Sequence, residues 1–107
     1  MGVSYIPVGR IGELSPGTMK EIELGGRQVL LALVEGSYVV FSRTCPHEAA
    51  DLKTAGQLLQ GGLLRCSNHS YCYDLSSGEC ILPKGGPPLT VLPVEQRGDK
   101  ICVRLEW

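Results

Sequence analysis

An antiparallel all-β fold is what this 107-residue sequence predicts. Short runs rich in Val, Ile, Leu or Tyr alternate partially in polarity, glycine-bearing turn signals stand between them, and no window of helical length keeps a 3.6-residue apolar period. With 14 glycines and 7 prolines, most helical candidates would be interrupted in any case.

Taken in chain order, Lys20–Leu24 and Arg27–Val34 read as strands joined at Gly25-Gly26, where glycine supplies the positive φ of a tight hairpin. The apolar run Val29–Val34 is the longest in the chain. It falls far short of the roughly 20 residues that span a bilayer and reads as a buried strand. Glu35-Gly36-Ser37 then turns into Tyr38–Arg43, and Leu63–Cys66 follows after an interval. Ser76-Ser77-Gly78 is a further turn, and Leu89–Glu95 and Lys100–Leu105 close the chain around Arg97-Gly98-Asp99. That tripeptide matches a cell-adhesion signal, but in a chain with no export signal it reads as a hairpin tip. Pro83–Pro88 (PKGGPP) is a stiffened loop. Cys102 lies in an apolar strand, as a small buried hydrophobe does.

A chain of this length makes one domain, 1–107, with no room for a second. Its net charge of −1 and its 20% of charged residues, mixed in sign along the sequence, offer no basic patch for nucleic acid or an anionic membrane. MGVSYIPVGR at the N-terminus lacks the basic and apolar regions of a secretory signal, so a reducing cytoplasm is the expected compartment.

Chemistry concentrates in two short motifs, Cys45-Pro46-His47 and Cys66-Ser67-Asn68-His69, separated by the eighteen residues Glu48 to Arg65. The chain has only two histidines, and each follows a cysteine within three residues. Five cysteines, an odd number, without an export signal point to metal ligation rather than disulfides. Zinc accepts a Cys2His2 set, but zinc fingers pair Cys with Cys and His with His. Here each cysteine is followed by its own histidine, which favours two loops gripping a bridged pair of irons, with zinc as the competing metal. Two thiolates on one iron and two neutral imidazoles on the other raise the potential to about −150 to +300 mV, against about −400 mV for all-cysteine clusters. The histidine-bound iron is then the one that takes the electron. With both histidines used, no triad of two His and one carboxylate is left for a mononuclear oxygenase site, and no catalytic residue is assigned.

At these residues the chain resembles the Rieske ferredoxin family. CPHEAADL is similar to the family's first cluster loop and CSNHSYCYDLSSGEC to its second, including Tyr73, Asp74 and the turn at Gly78. Gly85-Gly86-Pro87-Pro88-Leu89 resembles the proline loop that covers the cluster, and the likeness runs from about Lys20 to Leu105. The resemblance implies an antiparallel β-sandwich carrying a cluster-binding subdomain at about 42–84, with one [2Fe-2S] cluster on Cys45, His47, Cys66 and His69. It also implies a monomeric shuttle that takes single electrons from a flavoprotein reductase to a terminal oxygenase of the aromatic-ring dioxygenase type. Two alternatives are the small Rieske subunit of a nitrite reductase, whose ligands can be missing, and a zinc-bound structural domain. All four ligand positions are filled here.

Departures from the family pattern carry expectations of their own. The respiratory members' loop-tying cysteines are replaced by Ala50 and Asn68, which favours the low-potential branch without that disulfide. Two common glycines are Ala49 and Ser70 here, one residue is inserted between the loops, and the positions of a sulfur-bonding serine and tyrosine hold Tyr71 and Tyr73. A hydrogen bond from Tyr73 to the sulfur of Cys45 would raise the potential. Cys72 and Cys80 flank the Ser76–Gly78 turn and, like Cys102, are expected to be thiols. Glu48 and Asp51 are open to two readings, an acidic docking rim beside His47 or plain loop solvation. A small patch suffices for weak electron-transfer complexes, which bury under about 1,200 Å².

Overall fold

A computed structural model describes residues 2–47, 49–67 and 70–106. Eleven strands and one helical turn follow in order: β1 Val3–Arg10, β2 Met19–Leu24, β3 Arg27–Val34, β4 Ser37–Ser42, α1 Leu52–Ala55, β5 Gly56–Leu59, β6 Leu63–Cys66, β7 Tyr71–Asp74, β8 Cys80–Leu82, β9 Val91–Leu92, β10 Val94–Arg97 and β11 Lys100–Glu106. The strand order is β1-β11-β10 in one sheet, β2-β3-β4-β9 in a second and β5-β6-β7-β8 in a third. Each pairing is antiparallel, as the alternation and turn signals predict. Among the described residues no helix is long and apolar enough to cross a membrane.

The continuous apolar run of β3 has a simple cause. Val29 and Leu31 enter one buried cluster with Val8, Val40, Ile101 and Val103, while Leu30, Ala32 and Val34 enter another with Phe41, Leu52, Leu64, Tyr73 and Leu75. Successive residues of a strand point to opposite faces, so a strand covered on both sides must be apolar at nearly every position. The β2-β3-β4-β9 sheet is therefore a middle layer, with β1 and β11 on one face and the β5–β8 sheet with α1 on the other. Cys45, Cys66 and Cys80 belong to the second cluster.

Turn chemistry follows the expected positions. Gly25 and Gly26 (φ 54 and 86) join β2 to β3, and Gly98 (φ 65) sits at the tip between β10 and β11, in the Arg97-Gly98-Asp99 segment. The run expected as one strand over Leu89–Glu95 is divided at Pro93: β9 pairs with β4, β10 pairs with β11, and the chain passes between sheets where proline has no N–H to give.

Candidate metal centre

The first cysteine motif lies on a loop that closes on itself. Thr44 and Asp51 form an isolated antiparallel bridge, the Cys45 N–H donates to the Ala50 carbonyl at 2.9 Å, and the Leu52 N–H donates to the Arg43 carbonyl at 2.7 Å. Side chains reinforce that closure. Arg43 Nε and Nη2 donate to the two oxygens of Asp51 at 2.9 and 3.0 Å, and Nη1 reaches Glu21 at 3.1 Å. Asp51 Oδ1 also caps α1 by accepting from the Lys53 N–H at 2.9 Å, and Leu52 behind it is fully buried. Asp51 has a part that neither reading named: its carboxylate is gripped by Arg43 and fastens the loop. Glu48 lies outside the described residues.

The Arg43 guanidinium, followed by the Lys53 N–H, holds the Asp51 carboxyl below the ordinary carboxylate range. A depressed folded-state pKa means that this contribution is fully present above about pH 4, the ordinary carboxylate value, and is lost as pH falls through the lower folded value. Asp51→Asn is therefore expected to be less stable than wild type at neutral pH, with the difference narrowing below about pH 4. Chemical denaturation across that range measures it, and equal stabilities at pH 7 would remove the clasp from the account.

The second motif sits on the β6–β7 hairpin. Cys66 pairs in register with Tyr71, leaving residues 67–70 as the connection, and the Ser67 N–H donates to the Ala55 carbonyl at 2.9 Å. Ser70 takes φ 57, and its hydroxyl accepts from Arg65 Nη2 at 2.9 Å. Asn68 and the expected ligand His69 lie outside the described residues.

Cys45 and Cys66 are each 2% exposed, and none of the five cysteines is in a disulfide. Both share a buried cluster with Tyr73. Tyr73 is fully buried, with its hydroxyl oxygen 3.5 Å from Cys45 Sγ, and burial, then the Cys45 contact, then the charges of Cys45, Cys80 and Cys66 push its ionisation far above the usual tyrosine range. Either atom can donate in this contact. His47 is half-buried, and its ring stacks on Tyr71 with centroids 3.9 Å apart and planes 20° apart. Two thiol donors in an apolar setting, presented by separate loops with an imidazole at the margin, suit a cluster ligated by sulfur on one side and nitrogen on the other. Among the described residues no group of three or more Cys, His, Asp or Glu is gathered as a single-ion site.

The remaining cysteines keep structural positions. Cys80 Sγ donates to the Leu82 and Pro83 carbonyls at 3.5 and 3.2 Å, and a Cβ on Gly86 would stand 2.8 Å from that sulfur, so the thiol seats the proline loop. Across the sheet Cys72 pairs with Leu82 and Cys80 with Tyr73, so the two cysteines do not oppose one another. Cys102 is buried in β11, as its apolar strand predicts. Sequence reasoning missed the Arg43–Asp51 clasp and the His47–Tyr71 stack. The only signal was a charged pair flanking the first loop and two tyrosines alternating in one strand.

Comparison with known proteins adds the following. The Rieske [2Fe-2S] domain model matches residues 4–93. The ferredoxin component of the alkene monooxygenase system of Xanthobacter autotrophicus is 27% identical over 104 residues, covering 97% of this chain and 84% of that protein. Among solved structures, the ferredoxin of carbazole 1,9a-dioxygenase from Nocardioides aromaticivorans IC177 superposes with a TM-score of 0.81 at 24% identity, covering 94% of this chain and 96% of that one. A Mycobacterium tuberculosis protein described as an NADH-dependent nitrite reductase small subunit reaches a TM-score of 0.85 at 18% identity, covering 100% of this chain and 99% of that one. At those identities the two structures show a shared fold.

Proposed function

The chain belongs to the Rieske [2Fe-2S] domain family and holds one [2Fe-2S] cluster, and from that premise we propose that Cys45, His47, Cys66 and His69 are its ligands and that it shuttles single electrons. The observation that carries this reading is the burial of Cys45 and Cys66, presented by separate loops, in one apolar cluster, with the Tyr73 hydroxyl 3.5 Å from Cys45 Sγ and His47 at the half-buried margin. When bound, such a cluster accepts and returns one electron at a potential that imidazole ligation lifts above that of all-cysteine clusters.

The chain's own groups divide the remaining work. Cys45 and Cys66 keep the thiolate side away from water, which strengthens every dipole directed at it. Tyr73 offers its O–H to Cys45, the Arg43–Asp51 clasp keeps the first loop closed, and the loop seated on Cys80 flanks the same cluster of side chains. His47, half-buried, is the port. No residue is assigned to bond-breaking chemistry; the protein is an electron-transfer component. A relative that is the ferredoxin component of a monooxygenase system supports a terminal oxygenase as acceptor, and the donor in this reading is a flavoprotein reductase. The chain works as a cytoplasmic monomer and a single domain over residues 1–107, its cluster-binding part at about 42–84.

An anaerobic reductive titration of the iron-loaded protein tests the carrier. Uptake of one electron per chain, returned in full to an oxidised acceptor, is expected; uptake of two, or none, contradicts it. Tyr73→Phe is expected to lower the midpoint potential by roughly 40 mV, because a hydrogen bond to a charged sulfur that strengthens on reduction by about 1 kcal/mol is then lost. An unchanged midpoint in the redox titration would rule the bond out.

A further inference from the structure

We propose that Tyr71 is a positioning residue for electron transfer: it holds the His47 ring in one plane and shares with it the surface patch through which electrons enter and leave. The inference rests on His47 being a ligand, as argued above. Cys45 and His47 are two residues apart in the first loop, and Tyr73 and Tyr71 are two apart in β7, so the two tyrosines project from the same face of the strand. Their partners match in reverse order, Tyr73 against Cys45 and Tyr71 against His47. The inner pair is buried and polar, an O–H beside a sulfur. The outer pair is half-buried and made by ring faces 3.9 Å apart at 20°.

An imidazole bound to metal through one nitrogen keeps a rotation about that bond. Each ring angle gives a different overlap with the metal, and a ring that turns between redox states adds reorganisation to every transfer. A flat aromatic face at stacking distance removes that freedom. The stack covers one face of His47, and half-buried Tyr71 extends the patch that an acceptor meets. The transfer is outer-sphere: one electron leaves the reduced centre and enters the acceptor, with no bond made or broken and no proton required. The ring face does this, not the phenol oxygen, so phenylalanine should replace tyrosine while leucine should not.

The test compares iron-loaded wild type, Tyr71→Phe and Tyr71→Leu in two readouts, oxidation of the reduced protein by hexaammineruthenium(III) in stopped flow and the g values with histidine-nitrogen couplings of the reduced cluster. Tyr71→Phe is expected within about twofold of the wild-type rate with the same spectrum, and Tyr71→Leu roughly fivefold slower with shifted g values, the scale of bias that an aromatic pair exerts on its partner. A leucine variant with wild-type rate and g values, or a phenylalanine variant as impaired as leucine, overturns the proposal. Should Tyr71→Leu fail to load iron, Tyr73→Phe protein grown on ring-deuterated tyrosine decides. Deuteron modulation of the reduced cluster's spin echo is expected from the stacked Tyr71 ring, and its absence overturns the stack. A wild-type spectrum with coupling from fewer than two histidine nitrogens would instead contradict the ligand set on which this inference rests, which separates failure of that reading from failure of this one.

Discussion

Cys66→Ala is expected to purify without iron and without visible colour, the largest change any single substitution should make. Cys66 ends β6 with 2% of its surface exposed, inside the same apolar cluster as Cys45. A methyl group fits that space without strain but offers no charge or lone pair to a metal. The chain should still fold, losing roughly 1 kcal/mol for the missing sulfur's packing, because the cluster around it is built from Leu30, Phe41, Leu64 and Leu75. Cys45→Ala should behave in the same way. The other cysteines provide the control: Cys72→Ala and Cys102→Ala should keep full iron and sulfide, since the first faces Leu82 across the sheet and the second lies in β11 between Ile101 and Val103, outside the cluster that holds Cys45 and Cys66. Iron and sulfide analysis of the four variants decides the matter. Retention of iron by Cys66→Ala, or loss by Cys102→Ala, would mean that the sulfur ligands are misassigned.

Gly78→Ala should give the largest loss of stability. Gly78 has φ 83, a conformation that costs an L side chain about 1 kcal/mol, and a Cβ there collides with the Leu89 carbonyl oxygen. Retreat is blocked from both sides. The Leu89 N–H donates to the Gly78 carbonyl at 2.7 Å, and the Gly78 N–H donates to the Asp74 carbonyl at 2.6 Å. Leu89 itself is buried in the cluster that holds both cysteines, so a displaced Leu89 loosens the site as well as the turn. The expected cost is roughly 3 kcal/mol, or about 15 °C in melting temperature for a chain of this size. Gly98→Ala is the comparison, since Gly98 has φ 65 but nothing within 4 Å of its would-be Cβ. It should lose only about 1 kcal/mol. Equal melting temperatures for the two variants would show that the close approach at Leu89 carries no cost.

Strands whose signal is local were legible in advance. β3 and β6 have the expected bounds, and β2, β4 and β11 differ from them by a residue at one or both ends, since alternation and flanking glycines specify them without help from the rest of the fold. Those that were missed owe their existence to partners. β1 contains Pro7 and Gly9, which weaken any strand signal, and it survives as a sheet edge whose pairing with β11 shifts register between those two residues. β5, β7 and β8 are four, four and three residues long, and pairing in register to one another makes them a sheet. Helix α1 is one turn, capped by an aspartate whose other bonds go to Arg43.

The candidate site divides along the same line. The donors proposed as ligands sit in two compact motifs, and the family match over residues 4–93 agrees with the cofactor they imply. The bonds between the loops were not readable. Tyr71 meets His47 and Tyr73 meets Cys45 only because β7 pairs with β6 in one register and the first loop folds across it. A one-residue slip would turn both tyrosines to the other face. Arg43 and Asp51 likewise become partners only when the Thr44–Asp51 bridge closes the loop between them.

Electron paramagnetic resonance of the reduced protein during a redox titration addresses the central claim, ligation by two thiolates and two imidazoles, most directly. The account predicts a single one-electron centre whose signal carries hyperfine coupling from two histidine nitrogens, with a midpoint inside the range of about −150 to +300 mV for imidazole-ligated clusters. A signal without nitrogen coupling and a midpoint near about −400 mV, or a colourless protein that contains zinc and gives no signal, would contradict it.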